Sequence, residues 1–207
     1  MTFVDRFGLG TLAVGALVLG LGCAMLSKGA PLSPRFFSPE PAPQARPPTV
    51  VPESAFELRL GNVDAAAYIE ERISYRVSAN EVAYRADQRW TESPDAYVRR
   101  ALSRELFEQR GFRRVVSGSA PTLELELTSF DELTYGEPRA RIALHLSLQD
   151  ERRSLIECDV VAEEPLSEGG LPPAMSRALG RAVHEVAERV AAELSRPEVL
   201  SAEPSTP

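Results

Sequence analysis

Between residues 56 and 162 apolar side chains recur mainly at every second position; beyond residue 174 they recur every third or fourth. The first spacing is that of strands with one buried face, the second that of a helix with an apolar stripe. Phe56, Leu58 and Leu60 alternate with Glu57 and Arg59 and predict an opening strand. Asp64 to Ile69 reads as a short helical turn or an extended connection. Ile73, Tyr75 and Val77, then Val82, Tyr84 and Ala86, alternate with polar residues on either side of Ala79-Asn80-Glu81, which predicts a hairpin. Ser93-Pro94-Asp95 starts a helix, with proline in its first turn and an acid near the positive end of its dipole. Val98, Ala101, Leu102 and Leu106 form its apolar face, the helix runs to about Gln109, and Gly111 ends it.

Phe112 to Val116 predicts a short strand. Leu123, Leu125 and Leu127 oppose Glu124 and Glu126 on the next, and Gly136 to Pro138 is a turn. Ile142, Leu144, Leu146 and Leu148 face inward on a strand whose outer side carries Ala143, His145 and Ser147. Gln149 to Arg153 is a hairpin tip, Leu155 to Ala162 returns, and Cys158 falls with Ile156 and Val160 on the apolar face as core filler. A last helix carries Met175, Leu179, Val183, Val186, Val190 and Leu194. The order β-β-β-α-β-β-β-β-α, with strands this amphipathic, predicts an α+β fold. It would be a two-layer sandwich with a largely antiparallel or mixed sheet and two helices packed on one face.

The N-terminus has a different pattern. Arg6 precedes an uncharged run from Phe7 to Gly22 that ends at Cys23. This reads as an export signal over residues 1–22 with Cys23 as the lipid-attachment site. Gly22 suits a lipobox, whereas Gly20 stands where Leu is usual. The rival is an uncleaved anchor, because the run extended through Leu26 reaches the ~20 residues that span a bilayer. Acylated, Cys23 would hold the chain to the membrane by more than one acyl chain, and Ala24 in place of Asp favours the outer over the inner membrane. From 24 to 54 prolines recur, which predicts an extended tether, interrupted by the island Arg35-Phe36-Phe37-Ser38. Residues 196–207 read as a disordered tail.

Charge and composition exclude several functions. The net charge of −7 argues against a nucleic-acid partner. With Cys23 acylated, Cys158 has no intrachain disulfide partner. No phosphate loop, HExxH, CxxC or nucleophile elbow is present, and no cofactor motif. Glu163-Glu164 and Asp131-Glu132 read as solvated charge beside loops, His184 and Glu188 as an exposed helical pair, and Ser117 to Pro121 as a turn. The chain is therefore expected not to be an enzyme. The segment from Tyr84 to Pro94 is unusually dense in special side chains. Tyr84, Arg85, Arg89, Trp90 and Glu92 are candidates for a partner-binding site, since Trp, Tyr and Arg dominate interface hot spots. The alternative for Trp90 is a plug at the end of the core, with Arg85 or Arg89 paired to an acid.

Tyr75-Arg76, Glu81-Val82-Ala83-Tyr84 and Arg89-Trp90-Thr91-Glu92-Ser93-Pro94 together resemble the signature of the ABC-type transport auxiliary lipoproteins. The resemblance continues from Val98 to Phe107 and from Leu123 to Phe130. It then takes in the strands Arg141–Gln149 and Cys158–Val161 and the helix from Ala174 to Leu194. Thr91 departs from a common Ala, and Ser93-Pro94 from Pro-Pro or Pro-Leu. The Arg35 to Ser38 island is similar to that family's first strand. This would shrink the tether to 23–34, place the domain at 35–195 and leave 39–54 as a Pro-rich loop. The resemblance implies a non-catalytic subunit on the periplasmic side of the envelope. Its partners would be an MCE-domain substrate-binding protein and an ABC permease, with phospholipid as candidate cargo. The alternative is an envelope-assembly or cell-wall-synthase-regulating lipoprotein with a similar domain.

Overall fold

The computed structural model describes residues 33–39, 49–166 and 172–200. The export segment, Cys23, most of the Pro-rich loop and the chain beyond residue 200 lie outside the described residues. Among the described residues the elements are β1 (Arg35–Phe37), β2 (Glu57–Ala65), β3 (Arg72–Ser78), β4 (Glu81–Trp90), α1 (Pro94–Arg104), β5 (Arg113–Arg114), β6 (Thr122–Leu133), β7 (Arg139–Gln149), β8 (Ser154–Pro165), α2 (Pro172–Leu194) and α3 (Pro197–Leu200).

The sheet is organised around β6. One edge of β6 runs antiparallel to β7 along its whole length, from Thr122 opposite Gln149 to Leu133 opposite Arg139. Its other edge is divided: β2 lies parallel to Thr122–Leu127, and β3 lies parallel to Glu132–Leu133. Strand β4 continues from β3 antiparallel, β1 adds to β4 in parallel, β8 adds to β7 antiparallel, and β5 adds to β2 in parallel. The result is an open mixed sheet of eight strands. Helix α1 packs on β2 and α2, and α2 packs on β7 and β8. The fold is the two-layer α+β sandwich that the alternation predicts.

The core is built from the alternating apolar positions. Leu123, Leu125, Leu127, Ile142, Leu144, Leu146 and Leu148 meet Val98, Leu102, Leu179, Val186 and Val190, all buried. Trp90, 1% exposed, stacks edge-on against Phe130 with ring centroids 5.5 Å apart. Cys158 packs half-buried against this core, and burial raises its thiol pKa.

Several expectations are corrected. Strand β2 runs on through Ala65, because β6 offers Glu126 and Leu127 as partners to Asp64 and Ala65. It passes an irregularity at Gly61, where a Cβ would sit 2.9 Å from the Thr122 methyl and 3.1 Å from the Leu123 carbonyl. Helix α1 ends in a π-turn over Glu105–Gln109. There the Arg110 N–H bonds to the Glu105 carbonyl five residues back at 2.9 Å, the spacing of a π-turn, and the Glu105 carboxylate, 3% exposed, takes a 2.7 Å hydrogen bond from Arg110 Nε. Pro197–Leu200 forms a helical turn that buries Val199, where the sequence predicts tail.

The largest correction concerns Asp131-Glu132, which is not solvated charge: the two residues are 0% and 2% exposed. The register of β6 slips between Leu127 and Ser129, so the strict alternation of the first half does not carry into the second. Asp131 accepts hydrogen bonds from Ser74 Oγ at 2.7 Å, Ser129 Oγ at 2.6 Å, Tyr68 OH at 3.0 Å and Arg76 Nε at 3.0 Å. Arg76 Nη2 donates to the Tyr68 hydroxyl at 2.9 Å. Burial and then the adjacent Asp131 raise the Tyr68 phenol pKa. Burial works against the Arg76 charge, but its hydrogen bonds to Tyr68 and Asp131 outweigh that and raise its pKa.

Removing one partner of a buried, hydrogen-bonded charge pair leaves the others unsatisfied. Asp131→Ala is therefore expected to lose about 3–5 kcal/mol of stability, read by urea unfolding. Trp90→Ala is expected to lose about 3–5 kcal/mol by opening a core cavity. A loss below about 1 kcal/mol at either position would contradict this account of the core.

Candidate partner-binding site

Strands β1, β4 and β3 bring three side chains into one row, with Phe36 the register partner of Arg89 and Arg89 that of Arg72. Neighbouring positions point the other way: Phe37, the partner of Trp90, packs on the core. Phe36 is 59% exposed. Between its pairings at Tyr84 and Arg89, β4 spans five residues while β3 spans two (Arg72 to Ser74), so three extra residues bulge from the ladder. The Arg89 guanidinium folds back over this bulge and donates to the carbonyls of Arg85, Ala86 and Gln88 at 3.3, 3.3 and 2.9 Å. Arg72 lies over the Tyr84 ring at 4.1 Å and pairs with Glu70, and the Tyr84 hydroxyl donates to the Tyr68 carbonyl at 2.8 Å. This corner presents one apolar ring beside two guanidinium groups, one of them backed by a phenol.

The other sequence candidates take different places. Trp90 is interior, so its side chain offers no surface to a partner and the plug reading holds. Arg85 turns to the buried Glu132 and lies 5.1 Å from the centre of the Tyr75 ring. Glu92 forms an exposed pair with Arg100 at the entry to α1. Around them, Thr91 N–H donates to the Phe37 carbonyl at 2.9 Å, its hydroxyl lies 2.6 Å from Tyr97 OH, and Pro94 opens the helix. The stretch Arg89 to Pro94 is thus mainly a joint between β4, β1 and α1. Of the five candidates, Tyr84, Arg89 and Glu92 reach the surface region. Phe36 and Arg72 were missed as site residues, because only the strand register brings them beside Arg89.

The outer side of β6, β7 and β8 carries a second feature. Asp64, Glu126, His145 and Asp159 follow one another across β2, β6, β7 and β8, with Glu124, Ser147 and Glu157 in the next row. Among the described residues Asp64, Glu124 and Glu126 form no ion pair. His145 Nδ1 lies 2.9 Å from Asp159 and Nε2 lies 3.5 Å from Glu157. The hydrogen bond to Asp159, ahead of the charges of Asp159 and Glu157, raises the His145 pKa above its ordinary 6.5. His184 and Glu188 make a helical pair at 3.7 Å. No group of three or more His, Cys, Asp or Glu among the described residues is arranged to hold a metal ion. No described helix is long and apolar enough to cross a membrane.

The class that these elements define is a small α+β sandwich built on an open mixed sheet. The sequence model of the ABC-type transport auxiliary lipoprotein component matches residues 37–191, and the chain belongs to that family. It is accordingly an auxiliary lipoprotein component of transport and not a catalyst. The fold is similar to that of protein XCC0632 from Xanthomonas campestris, at 18% identity and a TM-score of 0.62, covering 76% of this chain and 92% of that one. It is also similar to an uncharacterized protein at 15% identity and a TM-score of 0.59, covering 79% of this chain and 99% of that one. At such identities the likeness is one of fold alone. No curated protein matches the sequence.

A histidine whose folded pKa is raised stabilises the fold fully below its unfolded pKa and loses that contribution as pH rises through the folded value. His145→Gln is expected to flatten the stability–pH profile above about 6.5. Asp159→Asn is expected to move the imidazole midpoint, read by NMR, back toward 6.5. An unmoved midpoint would refute the pairing.

Proposed function

We propose that this chain is the membrane-anchored auxiliary subunit of an ABC transport system of the MCE type. It acts on the periplasmic side by contact with the MCE-domain substrate-binding protein and the permease. The observation that carries the reading is the family match over residues 37–191, which takes in nearly the whole described domain. Phospholipid is the proposed cargo of the system. Cys23 is the proposed acyl anchor, with the outer membrane favoured. Eleven residues, 24–34, lie between Cys23 and Arg35.

The proposed contact surface is the corner of Phe36, Arg72, Tyr84 and Arg89, with Glu92 at its border. An exposed aromatic beside guanidinium groups is the composition that interfaces concentrate their energy in. Trp90 and Arg85 support it from within.

The acylated protein, drawn from gently solubilised envelopes, is expected to bring down an MCE-domain protein or the permease. Recovery of neither would count decisively against the assignment. Phe36→Ala with Arg72→Ala is expected to weaken that association about 10-fold or more, with unfolding unchanged. Cys23→Ala is expected to shift the protein from the membrane to the soluble fraction; retention would indicate a spanning anchor instead.

A further inference from the structure

Strand β8 holds twelve residues and pairs with β7 along its length, while no described strand pairs with its other edge. The two halves of that strand differ. Toward its C-terminal end, side chains of α2 come over it: Arg189 donates to the Val161 carbonyl, and Arg181 pairs with Glu164 at 2.8 Å. From Ser154 to Val160 no helix side chain hydrogen-bonds to the strand among the described residues. In the same stretch Leu155, Ile156 and Cys158 pack on the core yet stay only half-buried, so the helical layer does not fully cover them. This is an edge that a further strand can extend.

Charge decides what kind of strand fits. Glu157 and Asp159 project from the open half with side chains 66% and 78% exposed. Behind them on neighbouring strands lie Glu124, Glu126 and Asp64, and the only titratable cation in those rows is His145. Cross-strand neighbours of like charge repel and those of opposite charge attract. A second copy of β8 laid against the first would confront Glu157 and Asp159 with their own kind, so self-pairing is disfavoured. We propose that the Ser154–Val160 edge is a docking site for an extended segment of a partner protein carrying Arg or Lys at alternate positions, added as a ninth strand. Its basic side chains lie beside Glu157 and Asp159, and its intervening apolar ones cover Ile156 and Cys158. The inference rests on the reading that this chain works through protein contact, and it adds a second surface distinct from the Phe36–Arg89 corner.

The test uses the full chain and synthetic eight-residue peptides alternating Lys with Val, followed by fluorescence anisotropy and amide hydrogen exchange. The expected result is saturable binding with new protection confined to Ser154–Val160. N-methylation of alternate peptide backbone amides is expected to weaken binding at least 10-fold, as is exchange of every Lys for Glu. In the protein, Glu157→Gln with Asp159→Asn is expected to weaken binding at least 5-fold, with unfolding behaviour checked in parallel. Glu157→Lys with Asp159→Lys is expected to abolish it. Equal binding by the N-methylated peptide, or protection elsewhere, would overturn strand addition. Undiminished recovery of the MCE-domain protein or permease by the Lys variant would refute β8 as their docking edge and leave the functional assignment standing. Failure of the unaltered chain to recover either one would strike that assignment instead.

Discussion

The buried carboxylate of Asp131 is the constraint on which the sheet depends. Strand β6 must serve two neighbours in succession on one edge, β2 and then β3. Alongside the handover the ladder to β7 on the other edge slips, and the buried polar side chains there need partners. Asp131 supplies them by binding Tyr68 from the β2–β3 connection, Ser74 and Arg76 from β3, and Ser129 from β6 itself. One buried carboxylate thus ties three segments that the apolar pattern alone would leave free to slide. A one-residue slip of β3 along β6 would carry Ser74 and Arg76 to the opposite face.

The same node supports the candidate site. Tyr68, fixed by Asp131 and Arg76, presents its carbonyl to the Tyr84 hydroxyl. Tyr84 in turn backs Arg72. From the other side Trp90 anchors the end of β4 in the core while Arg89 closes the bulge. The exposed row Phe36, Arg89 and Arg72 is therefore held by interior residues of the same few segments. The tryptophan of that stretch thus holds the corner from inside and never reaches its surface.

Where one face is wet and the other dry, alternation reads the fold directly. Leu123 to Leu127 and Ile142 to Leu148 are placed by period alone, and α2 by its helical spacing. The reading fails where both faces are covered or where the period is broken. The second half of β6 is buried on either side, so its Asp and Glu look like loop charge in the sequence and are interior in the structure. At the π-turn Arg110 reaches back to the buried carboxylate of Glu105, a contact with no periodic signal. At the site, composition found Tyr84, Arg89 and Glu92, but Phe36 and Arg72 join them through register, and register is a property of pairing between distant segments.

Uncompensated charge on the outer sheet face is the one pattern that folding does not account for. The outward-facing acids of β2, β6 and β8 do not build the core, and Asp64 and Glu126 stand opposite one another as like charges, an arrangement that costs stability. Elsewhere on the same sheet the structure neutralises its acids: Glu163 takes both Arg139 and Arg141 at 3.0 and 3.1 Å. Among the described residues arginines stand against Glu163, Asp131 and Glu132, and none pairs with Asp64, Glu124 or Glu126. All three of those carboxylates face solvent, where water and counter-ions reach them. A basic strand added to the open half of β8, as proposed, would bring positive charge toward those rows.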